Sequence, residues 1–185
     1  MTYLFQSPRL GFRNWRDADL PRMAAINADP EVMRFFPATQ TEEQTQSFID
    51  RARKQYEAKS FTYFAADRLD TGTFIGFIGL SEQTYDADFT PCIDIGWRLA
   101  KEHWHHGFAT EGAKRCLEYA FQDLKLSQVV ATAPAINLPS IHVITKIGMS
   151  LVKHFKHPML KGDEQLEDCV LYAVNSRDVV HNVSR

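Results

Sequence analysis

Cysteine is scarce in this chain: Cys92, Cys116 and Cys169 are the only three in 185 residues. They are far apart and form no Cys-x-x-Cys pair, which argues against a disulfide framework or a zinc ribbon and for a reducing compartment. No apolar run approaches the ~20 residues that a membrane-spanning helix needs. The first residues, MTYLFQSPR, have neither a basic n-region nor an apolar h-region, so no signal peptide is expected. An excess of one charge is also missing, since 21 Lys+Arg against 23 Asp+Glu leave a formal net charge of −2. That balance gives no general attraction to nucleic acid or an anionic membrane, so any anionic ligand must be held by a local device. Repeats, low-complexity segments and long linkers are absent, and the length suits one domain spanning 1–185. The expectation is a cytoplasmic chain with no nucleic-acid or membrane partner, in which the sequon Asn182-Val183-Ser184 carries no meaning.

Hydrophobic periodicity supplies the elements. Leu10 to Trp15 reads as an opening strand. A helix follows over Asp17 to Ala28, with Asp17 as candidate cap, and ends before Pro30 because the residue preceding proline avoids the helical region. Thr41-Glu42-Glu43-Gln44 is a capping-box pattern opening a helix whose apolar face is Phe48, Ile49, Ala52 and Tyr56. Phe61 to Ala66 and Thr73 to Leu80 read as a hairpin turning at Asp70-Thr71-Gly72. After a strand at Cys92 to Leu99, residues 109 to 124 repeat at helical spacing and Gln128 to Ala133 is a strand. A helix at Asn137 to Ile147 and strands at Ser150 to Lys156 and Cys169 to Val174 complete the chain. The order is β-α-α-β-β-β-α-β-α-β-β, an α/β domain with a mixed sheet. The strand–helix–strand unit at 92–133 should be parallel and right-handed.

The stretch from His103 to Ala113, HWHHGFATEGA, supports two readings. His103, His105 and His106 suggest a metal, although no matching Cys or Glu spacing supplies further ligands. Gly107, Ala109, Gly112 and Ala113 suggest a backbone that something approaches closely. A small-residue loop between a strand and a helix N-terminus suits phosphate, because unpaired N–H groups and the helix dipole point at the ligand. The loop matches neither the nucleotide-triphosphate pattern nor the dinucleotide fingerprint.

Trp104-x-x-Gly107-x-Ala109-Thr110-Glu111 resembles the pyrophosphate loop of the GCN5-related N-acetyltransferases (GNAT), and most nearly that of the RimJ/RimL type, which acetylates ribosomal-protein N-termini. Ile95-Gly96-Trp97-Arg98-Leu99 and Thr73 to Leu80 resemble strands of that group, and Asn137-x-x-Ser140 with Lys146-Ile147-Gly148-Met149 resembles one of its helices. The resemblance runs from about Arg9 to Val174. It implies a mixed, mostly antiparallel sheet of about seven strands flanked by about four helices, with two splayed parallel strands forming a coenzyme cleft.

It also implies acetyl-coenzyme A as cosubstrate, no metal, and direct attack of a primary amine on the thioester. The amine would be a protein N-terminal α-amine, with a small-molecule amine or aminoglycoside as the alternative. The N–H groups of His105, His106, Gly107, Phe108, Ala109 and Thr110 would hold the pyrophosphate. The backbone of Ile95, Trp97 and Leu99 would pair with pantetheine, and Asn137 would bond the pantetheine arm while capping its helix. Asp94 would take the amine proton, Ser140 would protonate the leaving thiolate, and an N–H near Trp97 would hold the carbonyl oxygen. His105 stands where the resembling proteins keep glycine.

Blander readings stand beside these: a solvated carboxylate for Asp94, a helix brace for Ser140, a packing role for Trp104 and surface positions for His154 and His157. Phe35 and Phe36 line an acceptor cleft or belong to the core. Glu164, Glu167 and Asp168 attract a cationic acceptor or form a solvated loop. A non-catalytic acyl-coenzyme A-binding module is the competing function from another class, and a homodimer is left open.

Overall fold

A computed structural model describes residues 2–180, so Asn182-Val183-Ser184 lies outside the described residues. Eight strands form one sheet: β1 (Phe5–Gln6), β2 (Leu10–Arg13), β3 (Tyr63–Arg68), β4 (Phe74–Gln83), β5 (Cys92–Leu99), β6 (Gln128–Pro134), β7 (Ser150–Lys156) and β8 (Asp168–Asn175). Their spatial order is β1-β2-β3-β4-β5-β6-β8-β7. Every neighbouring pair is antiparallel except β5 and β6. The architecture is the expected one, with a two-residue strand added at the edge.

Five helices accompany the sheet: α1 (Leu20–Ala28), α2 (Glu42–Lys59), α3 (Phe108–Glu118), α4 (Leu138–Lys146) and α5 (Ser176–Val180). On one face, Leu10, Phe12, Ile78, Leu80, Ile95 and Leu99 pack with Phe108, Ala113, Cys116 and Leu117 of α3 and Ile144 of α4. On the other, Ala65 and Phe77 pack with Met23 and Ile26 of α1 and Ile49 and Ala52 of α2. Side chains alternate across a strand, so each strand serves both cores.

Several local expectations hold. The Thr41 hydroxyl accepts from Gln44 N at 3.2 Å and Gln44 Oε1 accepts from Thr41 N at 2.9 Å, the reciprocal capping box. Gly72 turns the β3–β4 connection at φ 66°. Asn137 caps α4, its Oδ1 accepting from Ser140 N at 3.2 Å.

Asp17 does not cap. The chain makes a 3-10 turn over Asp17–Asp19 before α1, and the Asp19 carboxylate accepts the Arg16 N–H at 2.8 Å. Asp17 instead ion-pairs with Arg53 at 2.7 Å. The helix expected at 109–124 begins at Phe108 and changes to a π turn at Tyr119–Asp123, where Leu124 N donates to Tyr119 O at 3.1 Å. The wider turn keeps Ala120 buried, with Phe121 and Leu124 against the same core.

One buried charge cluster ties β2, β3 and the 3-10 turn together. Arg13 places both forks of its guanidinium on carboxylates, Nε and Nη2 on Asp67 at 2.7 and 2.8 Å, Nη1 and Nη2 on Asp19 at 2.7 and 2.8 Å. Burial of this kind is tolerated because both carboxylates share one guanidinium through two hydrogen bonds each.

Candidate active site

The parallel strands β5 and β6 share a single register pair, Asp94 with Val130, and no residue of β5 after Asp94 has a partner on β6. The cleft therefore opens at Asp94 and widens toward the C-terminal ends of both strands. Ala100 N donates to Ile75 O at 2.9 Å, so even-numbered β5 residues turn their backbone groups to β4. The backbone groups of Ile95, Trp97 and Leu99 consequently face the β6 side, along the wall of the opening. Trp104 fixes the exit of β5, its indole donating to Leu99 O at 2.9 Å.

The segment 105–110 closes the upper end of β5. Gly107 is the N-cap residue of α3 at φ 78°, with no side-chain cap, so the first N–H groups of the helix keep their outward direction. His105 also lies in the left-handed region at φ 61°. A histidine thus occupies the conformation for which glycine is suited, at a cost of roughly 1–2 kcal/mol. His105, His106 and Gly107 are exposed, Ala109 and Thr110 half-buried, and the Phe108 ring is core.

The small residues divide by role. A Cβ on Gly112 would stand 2.4 Å from the Ile78 side chain, and Ala113 is fully buried, so these two let the sheet approach α3. Gly107 is exposed instead, and Ala109 is half-buried against the same core. The histidines divide as well. His103 is buried beside Phe108, and burial lowers its pKa, while the other two point to solvent. Among the described residues no group of three or more His, Cys, Asp or Glu is placed to hold a metal ion.

Contacts not foreseen from the sequence buttress this loop. Glu111 in the first turn of α3 accepts from Ser7 Oγ at 2.7 Å, Arg9 N at 2.9 Å and Arg9 Nε at 2.6 Å. Arg9 in turn lies 4.6 Å over the Phe108 ring and 3.5 Å from the place of a Gly107 Cβ, putting a cation beside the helix N-terminus. No spacing rule links residues 9 and 111; only the fold brings them together.

Asp94 is not a solvated strand carboxylate. It is 8% exposed, and burial raises its pKa to about 6, against a lowering by its hydrogen bonds. Tyr63 donates to its Oδ1 at 2.8 Å, and Gln83 Nε2 donates to the Tyr63 hydroxyl at 3.3 Å. Burial and the nearby Asp94 charge raise the Tyr63 phenol well above its usual range, so it stays protonated as a donor. Asn137 and Ser140 follow the end of β6; Ser140 is half-buried in the first turn of α4. Asp94, the open edge of β5 and the α3 N-terminus thus belong to one strand–helix–strand unit, and Asn137 follows it at the start of α4.

Phe36 is 41% exposed and covers Arg98 at 4.3 Å, so it does not belong to the core. His154 is exposed as expected, but His157 packs on Tyr85 at 4.5 Å between centroids, half-buried. Lys156 engages Asp168 at 2.8 Å and Glu167 at 3.5 Å, so one lysine is shared by two of these carboxylates.

The acetyltransferase (GNAT) domain model matches residues 9–150 of this chain. YnaD of Bacillus subtilis strain 168, named an uncharacterised N-acetyltransferase, is 30% identical over 158 residues, which cover 84% of this chain and 88% of YnaD. A solved GNAT-family acetyltransferase from Bacillus anthracis is 26% identical, with a TM-score of 0.78 over 93% of this chain and 98% of its own. RimL, a ribosomal L7/L12 α-N-protein acetyltransferase solved with coenzyme A, shares the fold alone: 12% identity, TM-score 0.76, 94% of this chain and 98% of its own. With most of its length matched by that domain model, this chain belongs to the GNAT acetyltransferase family and is an acyltransferase.

Proposed function

We propose that this chain moves an acetyl group from acetyl-coenzyme A to a primary amine, with Asp94 as general base. The observation that carries the reading is a buried carboxylate, pKa about 6, standing where β5 and β6 part. A base with that pKa is mostly ionised at neutral pH yet still basic enough to accept an ammonium proton, directly or through water.

The parts of the cleft suit the coenzyme in order. The outward N–H groups of residues 105–110 and the nearby Arg9 cation fit a pyrophosphate. The backbone edge of Ile95, Trp97 and Leu99 fits the amide-rich pantetheine arm as an added strand. Capping engages Asn137 Oδ1 only, so its NH2 group is the part suited to a pantetheine carbonyl. When bound, the coenzyme supplies an activated thioester carbonyl. Asp94 then receives the proton of the attacking amine, a β5 N–H near Trp97 holds the carbonyl oxygen, and Ser140 gives its hydroxyl proton to the departing sulfur.

The RimJ/RimL resemblance favours a protein α-amine as acceptor; likeness of fold to RimL supports the scaffold and not the substrate. Heating the protein with and without acetyl-coenzyme A tests the reading. Ligand at 100 times its dissociation constant adds about 2.7 kcal/mol to stability. Thiol release with an amine panel should follow, and it should be lost in Asp94→Asn; a null result in both measurements overturns the proposal.

A further inference from the structure

The α1–α2 face of the sheet holds a cation, Arg98, that pairs with no carboxylate among the described residues. Arg98 lies on that face of β5, four residues past Asp94, hence about 13 Å along the strand. Its Nη1 donates to Asn27 Oδ1 at 2.6 Å. The rings of Phe36 and Phe77 lie 4.3 and 5.5 Å from its guanidinium carbon. Its Nε is buried with no hydrogen-bond partner.

The contrast with Arg13 is instructive, since that guanidinium is buried on two carboxylates. Arg98 has only a neutral amide and two rings. Burial lowers its pKa to about 10, so it remains charged at neutral pH. Arg98 as a whole is half-buried, but its Nε is a desolvated donor without a partner among the described residues, an arrangement that costs stability and needs a reason beyond it. Asn27 holds it in position. The Asn27 NH2 group donates to Gln40 Oε1 at 3.0 Å and Thr45 Oγ1 at 2.9 Å, so Oδ1 is the atom turned to Arg98. The guanidinium is therefore pre-oriented, covered by an exposed ring from the α1–α2 connection, and on the same strand face as Asp94.

We propose that Arg98 binds a carboxylate of the acceptor, so that the substrate class is an amine that also carries a carboxylate. The amine sits at Asp94 and the carboxylate under Phe36, in place of the missing countercharge. This inference rests on the acetyl-transfer reading above. The carboxylate can belong to a free amino acid or to an acidic residue of a peptide; the chemistry read by Arg98 is the same.

Matched acceptor pairs test it by thiol release from acetyl-coenzyme A: glutamate and lysine against their amides, and a peptide with aspartate at its second position against the asparagine peptide. In the wild type, the carboxylate member of at least one pair should win by on the order of a hundredfold in kcat/KM, mainly through KM. Which pair shows the effect identifies the source. Arg98→Gln should bring that ratio to about one, and Arg98→Lys should retain part of it. Asn27→Asp, which offers Arg98 a carboxylate from the chain itself, should also remove the preference, and it serves if Arg98→Gln does not fold. A ratio near one for every wild-type pair, or a preference that survives both Arg98→Gln and Asn27→Asp, overturns the inference while leaving acetyl transfer intact. Acetyl-coenzyme A binding without thiol release to any amine overturns both.

Discussion

The Tyr63 hydroxyl on β3 reaches Asp94 Oδ1 on β5 at 2.8 Å by crossing the whole width of β4. Register makes the crossing. Tyr63 stands beside Gly79, and Gly79 beside Gly96, so the phenol lies over two positions without side chains. A Cβ on Gly96 would stand 3.0 Å from the ring and 3.2 Å from the hydroxyl. A tyrosine from one strand thus tunes a carboxylate two strands away.

The first prediction concerns the pH–rate profile. As Asp94 loses its proton, kcat/KM should rise through a pH of about 6. The Tyr63 hydrogen bond lowers that pKa, so Tyr63→Phe should move the acidic limb to higher pH. Asp94→Asn should abolish the limb and cost roughly 10²–10⁴ in rate. A limb unmoved by Tyr63→Phe would break the link between tyrosine and base.

Stability should follow the same group with the opposite preference. Burial raises Asp94 from 3.8 to about 6, so the folded state holds the proton more tightly than the unfolded. Its contribution is full below a pH of about 3.8 and is lost as pH rises through about 6, amounting to about 3 kcal/mol. Asp94→Asn does not undergo this loss. In urea unfolding it should exceed the wild type by up to ~3 kcal/mol at pH 8, with the gap closing toward pH 4.

His105 and Gly107 should respond in opposite directions to exchange with small residues. His105→Gly relieves a left-handed histidine at φ 61° and should stabilise by up to ~1 kcal/mol without weakening coenzyme binding. Gly107→Ala imposes that cost at φ 78° and should destabilise by roughly 1–2 kcal/mol while raising the coenzyme dissociation constant. Thermal melts and isothermal titration read both.

Arg13→Met should be among the most damaging substitutions away from the cleft. It leaves Asp19 and Asp67 buried without their cation. A loss of about 3–5 kcal/mol is expected from denaturant titration. A loss below 1 kcal/mol would mean that water reaches these carboxylates.

Much of the fold was legible because its signals are local. Thr41 and Gln44 announce a helix start three residues apart, Asn137 another, and periods of two and 3.6 mark the strands and helices. Asp17 misled for the same reason: an acidic residue before an apolar run is a cap by pattern. The decision between Asp17 and Asp19 came from Arg13, which joins Asp19 to Asp67 of β3, and from Arg53, 36 residues beyond Asp17.

The site was half legible. The loop at 105–110, Asp94 and Asn137 could be proposed from motifs, since each offers its chemistry in a short stretch. The clamp of Glu111 on Ser7 and Arg9, the Tyr63 bond to Asp94, and the isolation of Arg98 under Phe36 could not.

The sequence by itself determined the order of elements, the glycine at the α3 N-terminus and the carboxylate on β5, because periodicity, backbone freedom and side-chain type are properties of neighbours in the chain. Only the tertiary structure decided that Asp94 is buried and poised near a pKa of 6, that β5 and β6 part just beyond it, and that one arginine finds two carboxylates while another finds none. Desolvation and pairing depend on which groups sheet register and helix packing bring together, and those groups come from strands and helices far apart in sequence.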